Sequence, residues 1–197
     1  MESGKRLKIT FNSPVILSFF IVCFAALALN LVTGGAANRL MFSVYRSSLL
    51  NPFTYIRLIG HVFGHSGWEH FIGNMTLILV IGPLLEEKYG SANIAFVILV
   101  TALVTGIVNC VLFPHVQLSG ASGVVFALIL LSSFASMRDG EIPLTFILVA
   151  VIYFGGEIYN GIFVQDQVSN LTHILGGVLG AVMGCVMEKG KMSRYKR

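Results

Sequence analysis

Charged residues are scarce in this sequence. Asp, Glu, Lys and Arg make up 11% of its 197 residues, whereas about 25% is typical of soluble domains. By contrast, 55% of the residues are hydrophobic, and the mean hydropathy is +0.83. This composition excludes a soluble domain of any size and predicts a helical protein embedded in the lipid bilayer. No nucleic-acid partner is expected, because most of the basic residues flank apolar segments, where they orient a chain in the membrane.

Residues that commonly bind metals or form disulfides are also few. The three cysteines lie in apolar runs without paired spacing, which excludes a disulfide framework and predicts buried free thiols. They are Cys23, Cys110 and Cys185. His61, His65 and His70 do not form a His-Glu-x-x-His motif, and no acidic residue stands in the required place. Zinc is therefore a minor alternative; we expect no metal, no cofactor, and structural hydrogen bonds within the first loop for His61 and His65.

The apolar segments predict an all-α protein with six transmembrane helices. A helix needs about 20 residues to cross a bilayer. The segments cover about residues 14–32, 68–85, 92–113, 120–137, 143–164 and 169–187. They form one membrane domain, residues 14–187, between a basic N-terminus (1–13) and a basic tail (188–197). A secretory signal is the alternative for the first segment, but its apolar core would be shorter, about 7–15 residues.

The distribution of basic residues predicts the orientation of these segments. Six spans place both termini on one side of the membrane. That side receives ten of the 13 Lys and Arg residues, and the other side receives only Arg39, Arg46 and Arg57. Under the positive-inside rule both termini are cytoplasmic, which suits a bacterial inner membrane. The segment with these three arginines, residues 33–67, is amphipathic and is expected to lie in the membrane interface.

Four polar residues fall in one layer near the outer face. In this topology the second, fourth and sixth spans all begin there, and they contribute His70 and Asn74, Ser122, and His173 respectively. Polar groups at membrane depth usually face a bundle interior or a water-filled cavity. Taken alone, a serine between glycines is more often a helix-packing residue. The joint occurrence of the four residues favours a reactive site.

The residue types in this layer suit acyl transfer. Ser122 lies in a first helical turn, where unpaired N–H groups and the helix dipole stabilise negative charge. His173 could be the base that takes its proton, and no acidic residue stands obviously behind it, which predicts a Ser-His dyad. His70 and Asn74, spaced i, i+4, share one helix face and could donate to an oxyanion. Phe126 lies one turn after Ser122 and could pack against the His173 ring.

Glycines around this site predict close packing. Gly120 and Gly123 lie on either side of Ser122, and because they have no side chain they let another backbone approach. The series Gly176, Gly180 and Gly184 gives the sixth span a smooth face, which would bring His173 to Ser122. Glu86 is expected to be a helix-end or loop-anchoring carboxylate. Glu157 could cap its span, face the cavity or touch a substrate.

Several motifs of this chain occur together in one known family. They are Gly120-Ala121-Ser122-Gly123; His70-Phe71-Ile72-Gly73-Asn74 with His61 and His65 upstream; Glu86-Glu87-Lys88-Tyr89-Gly90-Ser91; and His173-Ile174-Leu175-Gly176 with Gly180. Over about residues 15–187 the chain resembles the rhomboid intramembrane serine proteases in their basic six-helix form. The resemblance implies that Ser122 is the nucleophile and His173 the base. It also implies an oxyanion hole formed by His70, Asn74 and the N–H of Ser122.

The resemblance predicts an intramembrane serine endopeptidase that cleaves transmembrane protein substrates in or near their membrane segments. Phe126 stands where many members have tyrosine. One alternative is a rhomboid-like, non-catalytic binder of membrane helices, although that class typically lacks the serine or the histidine. A small transporter is a second alternative, but it would predict internal repeats and charged midplane residues, and neither is evident.

Overall fold

The computed structural model describes residues 10–134, 141, 144–163 and 167–195. Within these ranges the chain forms α-helices and short helical turns and no β-strand. The helices are α1 (Pro14–Val32), α2 (Pro52–Gly60), α3 (Trp68–Tyr89), α4 (Ser91–Leu112), α5 (Ser122–Phe134), α6 (Leu144–Phe163) and α7 (Gln167–Tyr195). The predicted all-α class is confirmed. The helix α2 lies in the long first loop, between a π turn at Asn38–Phe42 and a 3-10 turn at His61–Phe63.

The helix bounds follow the predicted spans closely. Helix α1 begins and ends where its span was predicted, whereas α3 and α7 continue past Leu85 and Met187. In the described part of the chain, four helices are long and apolar enough to cross a membrane: α1, α3, α4 and residues Asn170–Glu188 of α7. The predicted ends at 137, 143 and 164, the first nine residues and the last two lie outside the described residues. The count of six spans and the cytoplasmic termini stay predictions.

Helix α5 lies at the centre of the bundle. It packs against α3, α4, α6 and α7, and most of its side chains are buried. A helix that is apolar on all sides is stable only when other helices or lipid surround it. On the α7 side the packing is backbone to backbone, because a methyl group on Gly180 would overlap the carbonyl oxygen of Ala127 and lie 2.7 Å from its Cα.

A buried carboxylate fixes the start of α1. Oε1 of Glu86 accepts hydrogen bonds from the N–H of Val15 (2.9 Å) and the hydroxyl of Ser91 (2.7 Å). Oε2 accepts from the N–H of Ile16 at 3.0 Å. These amides belong to the first turn of α1, which has no intrahelical acceptor for them, and the helix dipole favours a negative charge there. The predicted anchoring role of Glu86 is confirmed.

The first loop is tied to the segment that precedes α5. Val44 and Leu118 exchange two backbone hydrogen bonds, of 2.8 and 3.0 Å. The side-chain amide of Asn109 on α4 also donates to the carbonyl of Val44 at 3.1 Å. Further along, the N–H of Gly120 donates to the carbonyl of His61 at 2.9 Å. The first loop therefore positions the backbone just before Ser122.

Candidate active site

Ser122 is the first residue of α5 and is half-buried. The chain enters the helix through Gly120, whose φ of +136° lies in the region that favours glycine. The first helical hydrogen bond runs from the N–H of Val125 to the carbonyl of Ala121 at 2.9 Å. The amides of residues before Val125 have no i−4 acceptor within this helix, so the hydroxyl of Ser122 lies beside backbone donors.

Helix α7 meets α5 at Gly123, the residue that follows Ser122. A methyl group on Gly176 would overlap the carbonyl oxygen of Gly123 and lie 3.1 Å from its Cα. Conversely, a methyl group on Gly123 would lie 3.2 Å from Cγ2 of Thr172. The turn of α7 that carries His173 therefore packs on the residue next to Ser122. The close approach of the two spans, expected from the glycine series, is confirmed.

The ring of His173 stacks on the ring of Phe126. Their centroids are 4.4 Å apart and their planes differ by 7°. Phe126 is one turn below Ser122 on α5, so the stacking holds the imidazole against the helix that carries the serine. The contact predicted from the i, i+4 spacing is present, and it restricts rotation of the His173 ring.

His70 and Asn74 of α3 converge on Gly120. A methyl group on Gly120 would lie 2.8 Å from both Cε1 and Nε2 of His70, and 4.0 Å from Nδ2 of Asn74. On its other side, Nδ1 of His70 is 3.2 Å from the hydroxyl of Ser66. A hydroxyl that donates to Nδ1 leaves the ring hydrogen on Nε2, the nitrogen that is nearest Gly120. Nε2 of His70 and the amide nitrogen of Asn74 thus lie beside Gly120, two residues before Ser122.

His65 orients the amide of Asn74. Nδ2 of Asn74 is 3.2 Å from Nε2 of His65, and Nδ1 of His65 is 3.1 Å from the carbonyl oxygen of Phe63. An amide nitrogen only donates, so Nε2 accepts and Nδ1 carries the ring hydrogen, as the carbonyl of Phe63 requires. Burial, with a smaller effect of the neighbouring His70, lowers the pKa of His65 to about 4. The neutral ring leaves the second N–H of Asn74 for another acceptor.

His61 links the first loop to α4. Its Nδ1 is 3.3 Å from the carbonyl oxygen of Arg57, and its Nε2 is 3.2 Å from the hydroxyl of Thr105. The side chain is 1% exposed, and burial lowers its pKa to about 4. The predicted hydrogen bonds of His61 and His65 within the first loop are confirmed at the carbonyls of Arg57 and Phe63. Each ring also contacts a residue outside the loop, Thr105 or Asn74.

Two positioning contacts were not predicted from the sequence. Asn74 is nine residues from His65, across the turn into α3, and no local pattern indicates that contact. The Ser66–His70 pair has i, i+4 spacing, which was a usable signal, but Ser66 precedes the helix. The side chain of Glu157 lies outside the described residues, so its role stays open.

The cysteines are free thiols, as predicted, although only Cys23 is fully buried; Cys110 and Cys185 are partly exposed. In the part of the chain that the structure describes, no group of three His, Cys, Asp or Glu side chains is arranged to hold a metal ion.

The apolar helices, together with the family match that follows, define an integral membrane protein. Residues 52–190 match the model of the rhomboid domain, and the chain belongs to the rhomboid family.

The chain is 31% identical to rhomboid-related protein 1 of Caenorhabditis elegans over 144 residues, 66% of this chain and 39% of that protein. It is 29% identical to rhomboid-related protein 2 of Mus musculus, over 69% of this chain and 52% of that protein. It is 25% identical to the rhomboid protease GlpG of Yersinia pestis, over 86% of this chain and 61% of that protein. The chain thus spans about two fifths to three fifths of the length of these relatives.

Proposed function

We propose that this protein is a serine endopeptidase that cleaves other membrane proteins in or near their transmembrane segments, using Ser122 and His173 as a dyad. The observation that carries the proposal is the convergence of three helix ends. Helix α7 packs on Gly123 with His173 stacked on Phe126, and α3 brings His70 and Asn74 against Gly120. Side chains that could serve as the nucleophile, the base and the two N–H donors of an acyl transfer thus lie around residues 120–126, which supports the proposal. The protease name of the Yersinia relative supports the same function.

The first half of the reaction forms an acyl-enzyme. Ser122 Oγ attacks the carbonyl carbon of the scissile peptide bond while His173 accepts the hydroxyl proton. The carbonyl oxygen becomes an oxyanion that accepts hydrogen bonds from His70, Asn74 and the N–H of Ser122. The C–N bond then breaks, and His173 gives its proton to the leaving amine.

The second half restores the enzyme. Water attacks the ester carbonyl carbon and gives a proton to His173. The same N–H donors stabilise the second oxyanion. The bond to Ser122 Oγ breaks, the serine takes the proton back, and a carboxylic acid leaves.

The reaction restricts the substrate. An intact helix hides its carbonyl groups in hydrogen bonds, so the chain must become extended at the cleaved bond. We therefore expect substrates with small or helix-weakening residues near that bond. The proposed location is the bacterial inner membrane, with the site close to the outer surface.

Labelling with a fluorophosphonate serine-hydrolase probe in detergent tests the proposal, together with cleavage of a transmembrane substrate. We expect the wild type to react, and Ser122→Ala and His173→Ala to lose both reactions while staying folded. The matched control is Ser132→Ala, which removes a hydroxyl on the same helix that donates to the carbonyl of Ile129 and should react normally. Cleavage by folded Ser122→Ala would contradict the mechanism. Folded wild type that neither reacts nor cleaves, but binds transmembrane peptides, would favour the non-catalytic alternative.

A further inference from the structure

A cavity lies between the first loop and α4, away from the candidate active site. Its volume is about 460 Å³. The first loop, including Thr54 of α2, provides a polar wall, and α4 together with Leu58 of α2 provides an apolar wall. The polar lining residues are Arg46, Ser47 and Thr54, and the apolar ones include Leu58, Ile107 and Val111.

A buried guanidinium lies directly behind the polar wall. Arg57 is 2% exposed, and its Nη2 donates to the hydroxyls of Ser47 and Thr54, which line the cavity. Its Cζ lies 4.4 Å from the centroid of the Tyr45 ring. Nε of Arg57 is buried and makes no hydrogen bond with any described residue.

The positive charge at this wall lacks an ion-pair partner in the part of the chain that the structure describes. Among the described residues, no carboxylate forms a salt bridge with Arg57 or with Arg46; the ion pair that is present joins Lys88 to Glu188. A buried charge without a partner is costly. A ligand that carries negative charge would offset that cost.

We propose that this cavity binds the phosphate of an anionic phospholipid headgroup, with part of an acyl chain against the apolar wall. Arg46, on the exposed rim, contacts a phosphate oxygen directly, while Arg57 acts through Ser47 and Thr54 and through its field. Arginine is well suited to phosphate because its guanidinium is planar, always charged and multidentate. A lipid fits better than free phosphate, because Ile107 and Val111 are 49% and 65% exposed on a helix apolar enough to cross a membrane.

Cys110 provides a local probe, because it lines the same cavity and is partly exposed. The experiment uses the protein delipidated in detergent. Cys185→Ser removes the second partly exposed thiol, and Cys23 is fully buried, so that maleimide reports on Cys110. The rate of maleimide labelling of Cys110 is measured against added short-chain phosphatidylglycerol, short-chain phosphatidylcholine, or inorganic phosphate. Native mass spectrometry counts the bound lipid.

We expect saturable protection of Cys110 by phosphatidylglycerol and protection by phosphatidylcholine only at higher concentration. Arg46→Gln should lower the affinity for the anionic lipid about tenfold, because one charge-assisted contact is lost. The matched control is Arg39→Gln, which neutralises another arginine of the same loop that does not line the cavity and should bind like the wild type.

A second variant tests the apolar wall separately. Val111→Trp adds bulk at the cavity without removing any polar contact. It should weaken the binding of the lipid without affecting the binding of inorganic phosphate. Equal affinities of Arg46→Gln and Arg39→Gln, or lipid binding that leaves Cys110 unprotected, would overturn the proposal. Protection by inorganic phosphate as effective as by phosphatidylglycerol would overturn the lipid assignment and leave a phosphate site.

Discussion

Gly176 on α7 lies directly against the backbone of Gly123 on α5. A methyl group on Gly176 would overlap the carbonyl oxygen of Gly123, and no rotation of a side chain could relieve that overlap. This contact sets the distance between the helix that begins at Ser122 and the helix that carries His173. The candidate dyad therefore depends on the absence of one side chain.

Gly176→Ala should separate the two helices and impair both stability and cleavage. Overpacking of this kind costs about 1–3 kcal/mol, and a small displacement of a catalytic group lowers the rate about 100-fold. Unfolding in detergent and cleavage rates measure the two effects. Gly156→Ala on α6 is the matched control, because a methyl group there meets no described atom within 4 Å. Equal behaviour of the two variants would show that the contact does not position the site.

The ring of Phe126 should be needed for cleavage, whereas a hydroxyl group added to that ring should have little effect. Phe126→Ala removes the surface on which His173 stacks at 4.4 Å, so we expect kcat to fall about 10- to 100-fold, as for other losses of orientation. Phe126→Tyr keeps the ring and should retain most of the activity. Phe96→Ala, which truncates a ring on α4 that is 55% exposed, should cleave normally. A Phe126→Ala variant with unchanged kcat would exclude the positioning role.

His65 and Asn74 should act as a unit. Asn74→Ala removes a proposed oxyanion donor, and the loss of such a donor typically costs about 100- to 1,000-fold in kcat. His65→Ala leaves that donor without the acceptor that orients it at 3.2 Å, so it should lower kcat by a similar or smaller factor. The double variant should then be little worse than Asn74→Ala alone, as expected for residues in direct contact. Rate losses that simply multiply would argue against this coupling.

Glu86 should contribute far more stability than its neighbour Glu87. Glu86→Gln replaces an ionised acceptor of three hydrogen bonds with a neutral amide whose NH₂ faces backbone N–H groups. We expect a loss of about 2–3 kcal/mol, as for buried charge-assisted hydrogen bonds. Glu87→Gln changes an exposed carboxylate and should unfold like the wild type. The comparison requires only unfolding midpoints in detergent.

Stability should fall as the pH drops from neutral to about 4. His61 and His65 have folded-state pKa values near 4, below the ordinary value of 6.5. Between these values the unfolded chain binds more protons than the folded one, so protons favour unfolding. The stabilisation is complete above pH 6.5, and at most of the order of 3 kcal/mol per imidazole is lost by pH 4.

Unfolding free energies measured across this pH range test the prediction. His61→Gln should be less stable at neutral pH but should show a shallower pH dependence. His115→Gln removes an exposed histidine and should keep the slope of the wild type. A stability that does not change between pH 7 and 5 would mean that the two buried imidazoles are protonated in the folded protein without cost.

The sequence by itself determined the helical membrane class and most helix bounds. It also pointed to the candidate site residues Ser122, His173, His70 and Asn74. Long apolar runs leave the backbone no alternative to helix in a bilayer, and the scarcity of polar residues makes each one in a span conspicuous. The Phe126–His173 contact and the glycine packing also followed from local spacing, because i, i+4 residues share a helix face.

Only the tertiary structure decided which groups orient the site. Asn74 is held by His65, Gly120 by the carbonyl of His61, and Leu118 by Val44. These contacts join the first loop to segments up to about 75 residues away, and side-chain periodicity carries no information at such separations. The cavity beside Arg57 has the same origin. The sequence shows an arginine among apolar residues, but not that it is buried and forms no salt bridge with a described carboxylate. Burial of polar groups is set by how the helices and the loop pack together, so it becomes visible only in the folded protein.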